Sequence, residues 1–304
     1  MPGIYEYKNL TLPELRMIDP AKTICLMTVS PLEVHGPHLP LGTDVLVGEK
    51  LQREYCKAIL ERYPGYGLLV LPALYAGCDP LPVKGSITVR ARTLENLLYD
   101  YVSSLAGQGF RYLIICDNHG GPSHQLAMEI CSQRVWSRYH FALINPFNVL
   151  YRRMVQNDHS FLNFINLIPG RCGDNADAHA GTNETSLALA SGITPTEGYK
   201  ELPPGEIPRA TGLAAILGRI GNIMGRFGFT QTKAELKHLE NMLAWVNSPN
   251  ELTYLGTPGL ATVAAGEQML KGHIETTLTL LGQALAGKKP CTRPMLWWMR
   301  AFRR

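Results

Sequence analysis

Four short stretches of the chain, residues 23–30, 67–74, 112–116 and 140–144, are apolar almost throughout and rich in β-branched and aliphatic side chains. A strand with one wet face alternates polar and apolar positions, so runs without alternation predict strands buried on both faces. Between them, residues 45–60, 93–105 and 125–136 carry apolar positions three and four apart, the spacing that lays one apolar stripe along a helix. Strand alternating with helix predicts a mostly parallel sheet covered on both sides, a three-layer α/β/α fold. In such sheets ligands bind outside the carboxyl ends of the strands. The loops after those ends are where chemistry is expected.

Residues 203–230 break the rhythm. Paired prolines lead into Ala210-Thr-Gly-Leu-Ala-Ala-Ile-Leu-Gly-Arg-Ile-Gly-Asn-Ile-Met-Gly-Arg-Phe-Gly228, where small residues recur at three and four spacing. Such spacing lets backbones approach closely. It predicts an inserted helix that packs on another subunit, covers the site, or is simply a packed helix of the domain. Residues 232–245 and 261–285 read as ordinary amphipathic helices. The expected layout is one domain over 1–286, carrying the insertion, and a tail over 287–304. With 304 residues, 45% hydrophobic and 18% charged, the chain can bury one large core.

Charge adds little to this picture: the net value is +4 and the basic residues are scattered except in the tail, so nucleic acid is not an expected partner. Seven cysteines at 25, 56, 78, 116, 131, 172 and 291 form no C-x-x-C pair, which predicts reduced thiols and a cytoplasmic setting. Residues 1–9 carry Glu6 and Lys8 without the apolar stretch of a signal peptide, and no window approaches eighteen consecutive apolar residues, so neither export nor membrane spanning is expected. The tail combines Trp297, Trp298 and Phe302 with six Lys or Arg and no acid. It either folds back onto the protein or, if exposed, makes peripheral contact with an anionic membrane surface.

The candidate chemistry gathers in three turns. Pro31-Leu-Glu-Val-His-Gly-Pro-His-Leu-Pro-Leu-Gly-Thr-Asp44 follows the first apolar run and precedes a helix. Glu33 and His35 are two apart, so in extended chain they leave the same side and can meet one ion. Asp117-Asn-His-Gly-Gly-Pro122 follows the run 112–116 and presents His119, while Asp177-Ala-His-Ala-Gly-Thr-Asn-Glu-Thr-Ser186 offers His179 and Glu184. A lone histidine is more often a hydrogen-bonded structural residue than a ligand. Three on converging turns, mixed with carboxylates, point to Zn2+, Mn2+ or Fe2+ over the all-oxygen shells of Ca2+ or Mg2+.

These blocks resemble the creatininase family of metal-dependent amidohydrolases, whose members share Glu-x-His-Gly-Pro-His-Leu-Pro-x-x-Thr-Asp, Asn-Gly-His-Gly-Gly-Asn and His-Ala-Gly-x-x-Glu-Thr-Ser. A weaker match, Gly256-Thr-Pro-Gly, extends the resemblance over roughly residues 10–285. The resemblance implies metal ligands at Glu33, His35, Asp44 and His119, with Asp44 bridging two ions and Glu184 as the remaining ligand. Creatinine-hydrolysing members carry a Glu where this chain has Gly121 and another where it has Ala178, so one or two ions are expected and creatinine itself is not the expected substrate. The implied reaction is attack of an activated water on a small cyclic amide or formamide, with His179 giving a proton to the departing nitrogen and Asp177 orienting it. His38, Ser86 and Thr88 are candidate substrate contacts. Lys84 and Arg90 hint at an anionic substrate or are two solvated charges on a loop. The resemblance further implies a homo-oligomer, a hexamer. Two other functions stay open: ring opening of a cyclic ketone by a hydrolase or lyase, and a binding module on a non-catalytic paralogue.

Overall fold

The structure is a computed structural model that describes residues 3–156, 158, 160, 177–248 and 252–301. Cys172 and residues 302–304 of the tail lie outside the described residues. In chain order the elements are β1 (Ile4–Glu6), α1 (Leu12–Arg16), β2 (Thr23–Ser30), α2 (Thr43–Arg62), β3 (Gly67–Val70), β4 (Leu74–Tyr75), α3 (Ala91–Gly107), β5 (Tyr112–Cys116), α4 (Pro122–Tyr139) and β6 (Ala142–Ile144). There follow α5 (Pro146–Val155), α6 (Thr182–Ala190), α7 (Gly212–Arg226), α8 (Thr230–Val246) and α9 (Val263–Leu285).

The strands form a 6-stranded sheet in the order β1-β3-β2-β5-β6, with β4 also on β2. Every pairing is parallel. All eight residues of β2 are buried, because the pleat sends them alternately into two cores. Ile24 and Leu26 meet α2, α5 and α9 through Val47, Leu51, Leu150 and Leu281. Cys25, Met27 and Val29 meet α3 and α4 through Leu94, Leu98, Met128 and Val135. This is the expected three-layer arrangement.

Two boundaries moved for physical reasons. The run 67–74 splits at Pro72, which has no N–H for the ladder; Leu71 N still donates to Leu26 O at 2.9 Å, and pairing resumes where Leu74 lies beside Val29. The run 140–144 begins its strand at Ala142, since His140 adopts φ 49° and ends α4. Strand β1, three residues long, and helix α5, which buries Pro146, Phe147 and Leu150 on one face, are additions to the sequence reading.

The insertion forms α7, packed antiparallel-fashion on α8. A β-carbon at Gly218 would strike the Glu240 carboxylate and one at Gly225 would lie 2.5 Å from Lys233 Cδ, so the small residues do set the close approach. The tail folds back. Pro294, Met295 and Leu296 are buried, the latter two among Leu217, Leu239 and Leu243. Thr292 N donates to Glu129 Oε2 at 2.7 Å and Leu296 N to Glu235 Oε2 at 3.2 Å. The condition under which membrane contact was expected, an exposed tail, is not met by these residues, although Trp298 stays exposed. No helix among the described residues is long and apolar enough to cross a membrane.

Candidate functional site

The three turns meet at the carboxyl edge of the sheet. Asp44 sits in the first turn of α2, which lies close against the sheet at Gly48: a β-carbon there would be 2.6 Å from Thr28 Cγ2 and 2.9 Å from Cys116 O. That contact brings the helix start over the ends of β2 and β5. One oxygen of Asp44 lies 3.2 Å from His35 Nε2 and the other 3.3 Å from His119 Nδ1. Glu33 Oε2 lies 2.9 Å from His119 Nδ1, and Glu184 Oε2 lies 3.7 Å from both His35 Nε2 and His179 Nδ1. Glu33, His35, Asp44, His119, His179 and Glu184 are therefore brought together. Their ligand atoms fall into groups lying within 4.8 Å of one another, among them Glu33–Asp44–His119 and His35–Asp44–Glu184, which share Asp44, and Glu33–His35–His179.

The hydrogen bonds around the imidazoles decide which nitrogen faces inward. His35 Nδ1 lies 3.1 Å from Glu33 O, His119 Nε2 lies 2.8 Å from Cys78 O and His179 Nε2 lies 2.8 Å from Val34 O. A carbonyl oxygen only accepts, so each of these nitrogens carries the proton and donates. The opposite nitrogens then point lone pairs at carboxylates, which are also acceptors. Glu33 Oε2, His35 Nε2 and Asp44 Oδ2 are buried without a hydrogen-bond partner. Acceptors facing acceptors need positive charge between them, and the donor set of imidazole and carboxylate suits a divalent metal. The residues fit such an ion.

The electrostatics show what fills that place without an ion: the carboxylates favour a proton on the inward nitrogens of His35 and His119, a proton that a divalent cation would displace. Burial alone would push the His35 imidazolium down, but the carboxylates of Asp44, Glu184 and Glu33 outweigh it and hold its pKa up at about 10. His119 is likewise driven well above the usual imidazole range by Glu33 and Asp44 against the opposing effect of burial. For Asp44 burial acts upward, and His35 and His119 overcome it to hold the carboxyl well below its ordinary value. The pocket attracts cations strongly.

Supporting contacts fix the turns. Glu33 Oε1 accepts from Leu81 N at 2.6 Å. Asp117 accepts from Ser30 Oγ at 2.6 Å, from Gln125 Nε2 at 2.8 Å and from His119 N at 3.1 Å, so the second turn hangs on this carboxylate. Asp177 Oδ2 accepts from Asn183 N at 3.1 Å, fixing the turn that carries His179 into α6, while the His179 ring itself meets Val34 O and Glu184. Ala180, at φ 47°, donates its N–H to Glu184 Oε2 at 2.6 Å.

The remaining candidates are spread more widely. His38 is buried with Nε2 2.9 Å from Thr185 Oγ1, and it ties the first turn to α6 away from the cavity wall. Ser86 Oγ accepts from Val34 N at 3.1 Å and holds the first block. Thr88 lines the cavity beside the cluster. Lys84 and Arg90 are exposed and are not among its lining residues.

That cavity, about 530 Å³, opens from Glu33, His119, His179 and Glu184 toward α5 and α8. Trp245 forms one wall: its ring centre is 5.0 Å from that of His179 and its Nε1 donates to Leu252 O at 2.6 Å. The sequence reading did not single out Asp117, Tyr151, His238 or Trp245. Asp117 had a local signal, a carboxylate two residues before His119 at a strand end; the other three had none, since they come from helices far along the chain.

Comparison with known proteins adds the following. Residues 8–281 match the creatininase family, described as creatinine amidohydrolase. A curated relative, the mycofactocin precursor peptide peptidase of Mycobacterium ulcerans (strain Agy99), is 29% identical over 170 residues, which are 54% of this chain and 56% of that protein. The chain thus spans little more than half the length of that relative. Among solved structures, a putative creatinine amidohydrolase from Bacteroides fragilis NCTC 9343 has a TM-score of 0.61 at 20% identity, covering 92% of this chain and 96% of that one. A structure described as "Creatininase Mn" gives 0.58 at 17%, and a creatininase mutant of Zn-Zn type gives 0.57 at 16%, each covering 91% of this chain and 97% of its own. At these identities the likeness shows the fold.

Proposed function

Because the chain belongs to the creatininase family, whose members are metal-dependent hydrolases, we propose that it cleaves the C–N bond of a small amide, cyclic or open, at a divalent-metal centre held by Glu33, His35, Asp44, His119 and Glu184. The observation that carries this reading is the locking of the imidazoles by backbone carbonyls, which leaves inward lone pairs and orphaned carboxylate oxygens around one centre. Asp44 shares itself between two ligand groups, and this supports zinc or manganese at one or two positions.

A bound divalent ion supplies a Lewis acid that polarises the carbonyl and makes water acidic near neutral pH. The chain's own residues do the rest. His179, anchored by Nε2–H to Val34 O, has the Nδ1 lone pair free to take a proton from the attacking water and pass it to the departing nitrogen, with Glu184 3.7 Å away. Asp177 positions the turn that carries it. Thr88 and the Trp245 ring shape the space for the substrate, and Ser86 and His38 hold the framework around it.

A second reading, cleavage of a peptide bond, is favoured by the likeness to the mycobacterial peptide peptidase. Metal analysis of protein purified without chelator, followed by assays on lactams, formamides and short peptides, separates the two. A protein that binds no divalent metal would overturn both.

The reading extends to assembly and setting. Leu213, Ile216, Ile220, Ile223 and Phe227 of α7 and its end are exposed and recur at alternating three and four spacing, as in a helix seam. This supports a homo-oligomer, with a hexamer as the family resemblance implies. The six described cysteines are all free, which supports a reducing, cytoplasmic setting.

A further inference from the structure

Beyond the cluster the cavity continues into an annex with a different lining. Its walls are Met154 from α5, Leu239, Met242 and Leu243 from α8, Met269 from α9 and Met299 from the tail. Methionine is unbranched and polarisable, so a wall built of four of them adapts to an apolar or aromatic guest and makes favourable sulfur–ring contacts. The volume of about 530 Å³ lies in the range, roughly 300–1,000 Å³, of sites that take drug-sized ligands. A creatinine-sized ring would leave most of it unfilled.

One polar station interrupts this lining. Tyr151 Oη and His238 Nε2 lie 2.7 Å apart, and both residues line the cavity. Tyr151 also sits beside the second metal-site turn: a β-carbon at Gly120 would come within 3.1 Å of its ring and 3.2 Å of its hydroxyl, so the missing side chain of Gly120 is what lets the phenol stand there. It lies near enough to the cluster to feel the charges of Glu184 and Glu33, after the larger effect of burial, which pushes its pKa up. Burial holds His238 down at about 4. Both groups are neutral around pH 7. With His238 neutral, the phenol either donates to Nε2 and keeps lone pairs for an amide N–H, or accepts from Nε2–H and turns its own O–H to a carbonyl. No Lys or Arg is among the described residues that line the cavity, and a carboxylate buried there would have no positive side chain among them to meet.

We propose that the substrate is a neutral amide whose acyl or amine part carries an aromatic or branched apolar group, that this group lodges in the methionine-lined annex, and that the Tyr151–His238 pair binds the polar group beside it. The inference rests on the amidohydrolase reading above and narrows its substrate class.

The test uses the full chain labelled with 13C at the methionine methyls, with and without zinc, and titrated with N-acetylphenylalaninamide or with acetamide. Of the 10 methionines, the signals of Met154, Met242, Met269 and Met299 should move with the aromatic amide, while Met17 and Met128 stay still. The aromatic amide should bind at least about tenfold more tightly, the return expected from burying one ring. Tyr151→Phe should weaken it about two- to tenfold. Met242→Phe, and separately Met154→Phe in case the first fails to fold, should fill the annex and weaken the aromatic amide without changing zinc uptake. Equal affinity for the two amides, or no movement of the four methyls, would overturn the proposal even if the zinc protein hydrolyses amides. Conversely, annex binding in a protein that takes up neither zinc nor manganese would sink the hydrolase reading and leave the annex standing.

Discussion

Asp44 concentrates the site's chemistry because its two oxygens face two imidazoles at 3.2 and 3.3 Å. Asp44→Ala should therefore lose bound metal and activity together. His179→Ala should keep its metal, measured by mass spectrometry of the purified protein, while turnover falls about 10²- to 10⁴-fold, the usual worth of a positioned proton donor. Normal turnover in that variant would remove His179 from the reaction. Buried titrating groups elsewhere set the pH range of stability. Burial pushes the Glu129 carboxyl up to about 8 from 4.5, so the folded protein holds a proton that the unfolded chain releases. Its contribution is complete below pH 4.5 and is lost as pH rises through 8. Burial holds His238 and His273 at about 4 against an ordinary 6.5, so unfolding takes up protons and stability falls as pH drops from 6.5 toward 4. Denaturant midpoints measured across that span should show both limbs, and Glu129→Gln should flatten the alkaline one alone.

At the scale of elements, the site depends on how closely α2 lies on the sheet. Gly48→Ala would press a methyl against Thr28 and the Cys116 carbonyl, and backbone cannot yield as a side-chain tip can. The expected cost is about 1–3 kcal/mol of stability, with weaker metal binding because Asp44 is carried outward on the same helix. Unchanged zinc affinity in a folded Gly48→Ala protein would show that the helix start adjusts independently. The exposed seam of α7 makes a separate claim. Light scattering at micromolar protein should give a multiple of 33.6 kDa. Ile216→Glu with Ile223→Glu should lower that mass; a wild-type mass of one chain would end the oligomer proposal.

Across the whole molecule, the tail and the helices α5, α8 and α9 are coupled. Met295 and Leu296 are buried against α8, and Met299 reaches the cavity. Removing residues 290–304 should cost about 3 kcal/mol or more, from two buried apolar side chains at ~1.5–3 kcal/mol each, and should lower the melting temperature. A truncated protein that melts with the full chain would show that the tail's packing carries no weight.

Much of the architecture was legible in the sequence, because it depends on local pattern. Residues 23–30 and 112–116 read as doubly buried strands since no charged residue and no polar–apolar alternation interrupts them, and both match the observed strands to the residue. The turns bearing Glu33, His35, Asp44, His119, His179 and Glu184 were legible because a parallel sheet delivers the loops after its strands to one edge. Sequence alone could not determine which imidazole nitrogen faces inward, because that depends on carbonyls that only the folded chain brings near: Cys78 O for His119 and Val34 O for His179, 41 and 145 residues away. Nor could it place Tyr151 against His238, 87 residues apart, or draw methionines from three helices and the tail into one wall. Periodicity reports which face of an element is buried. What that face is buried against is settled only when the elements pack, and the annex is made entirely of such contacts.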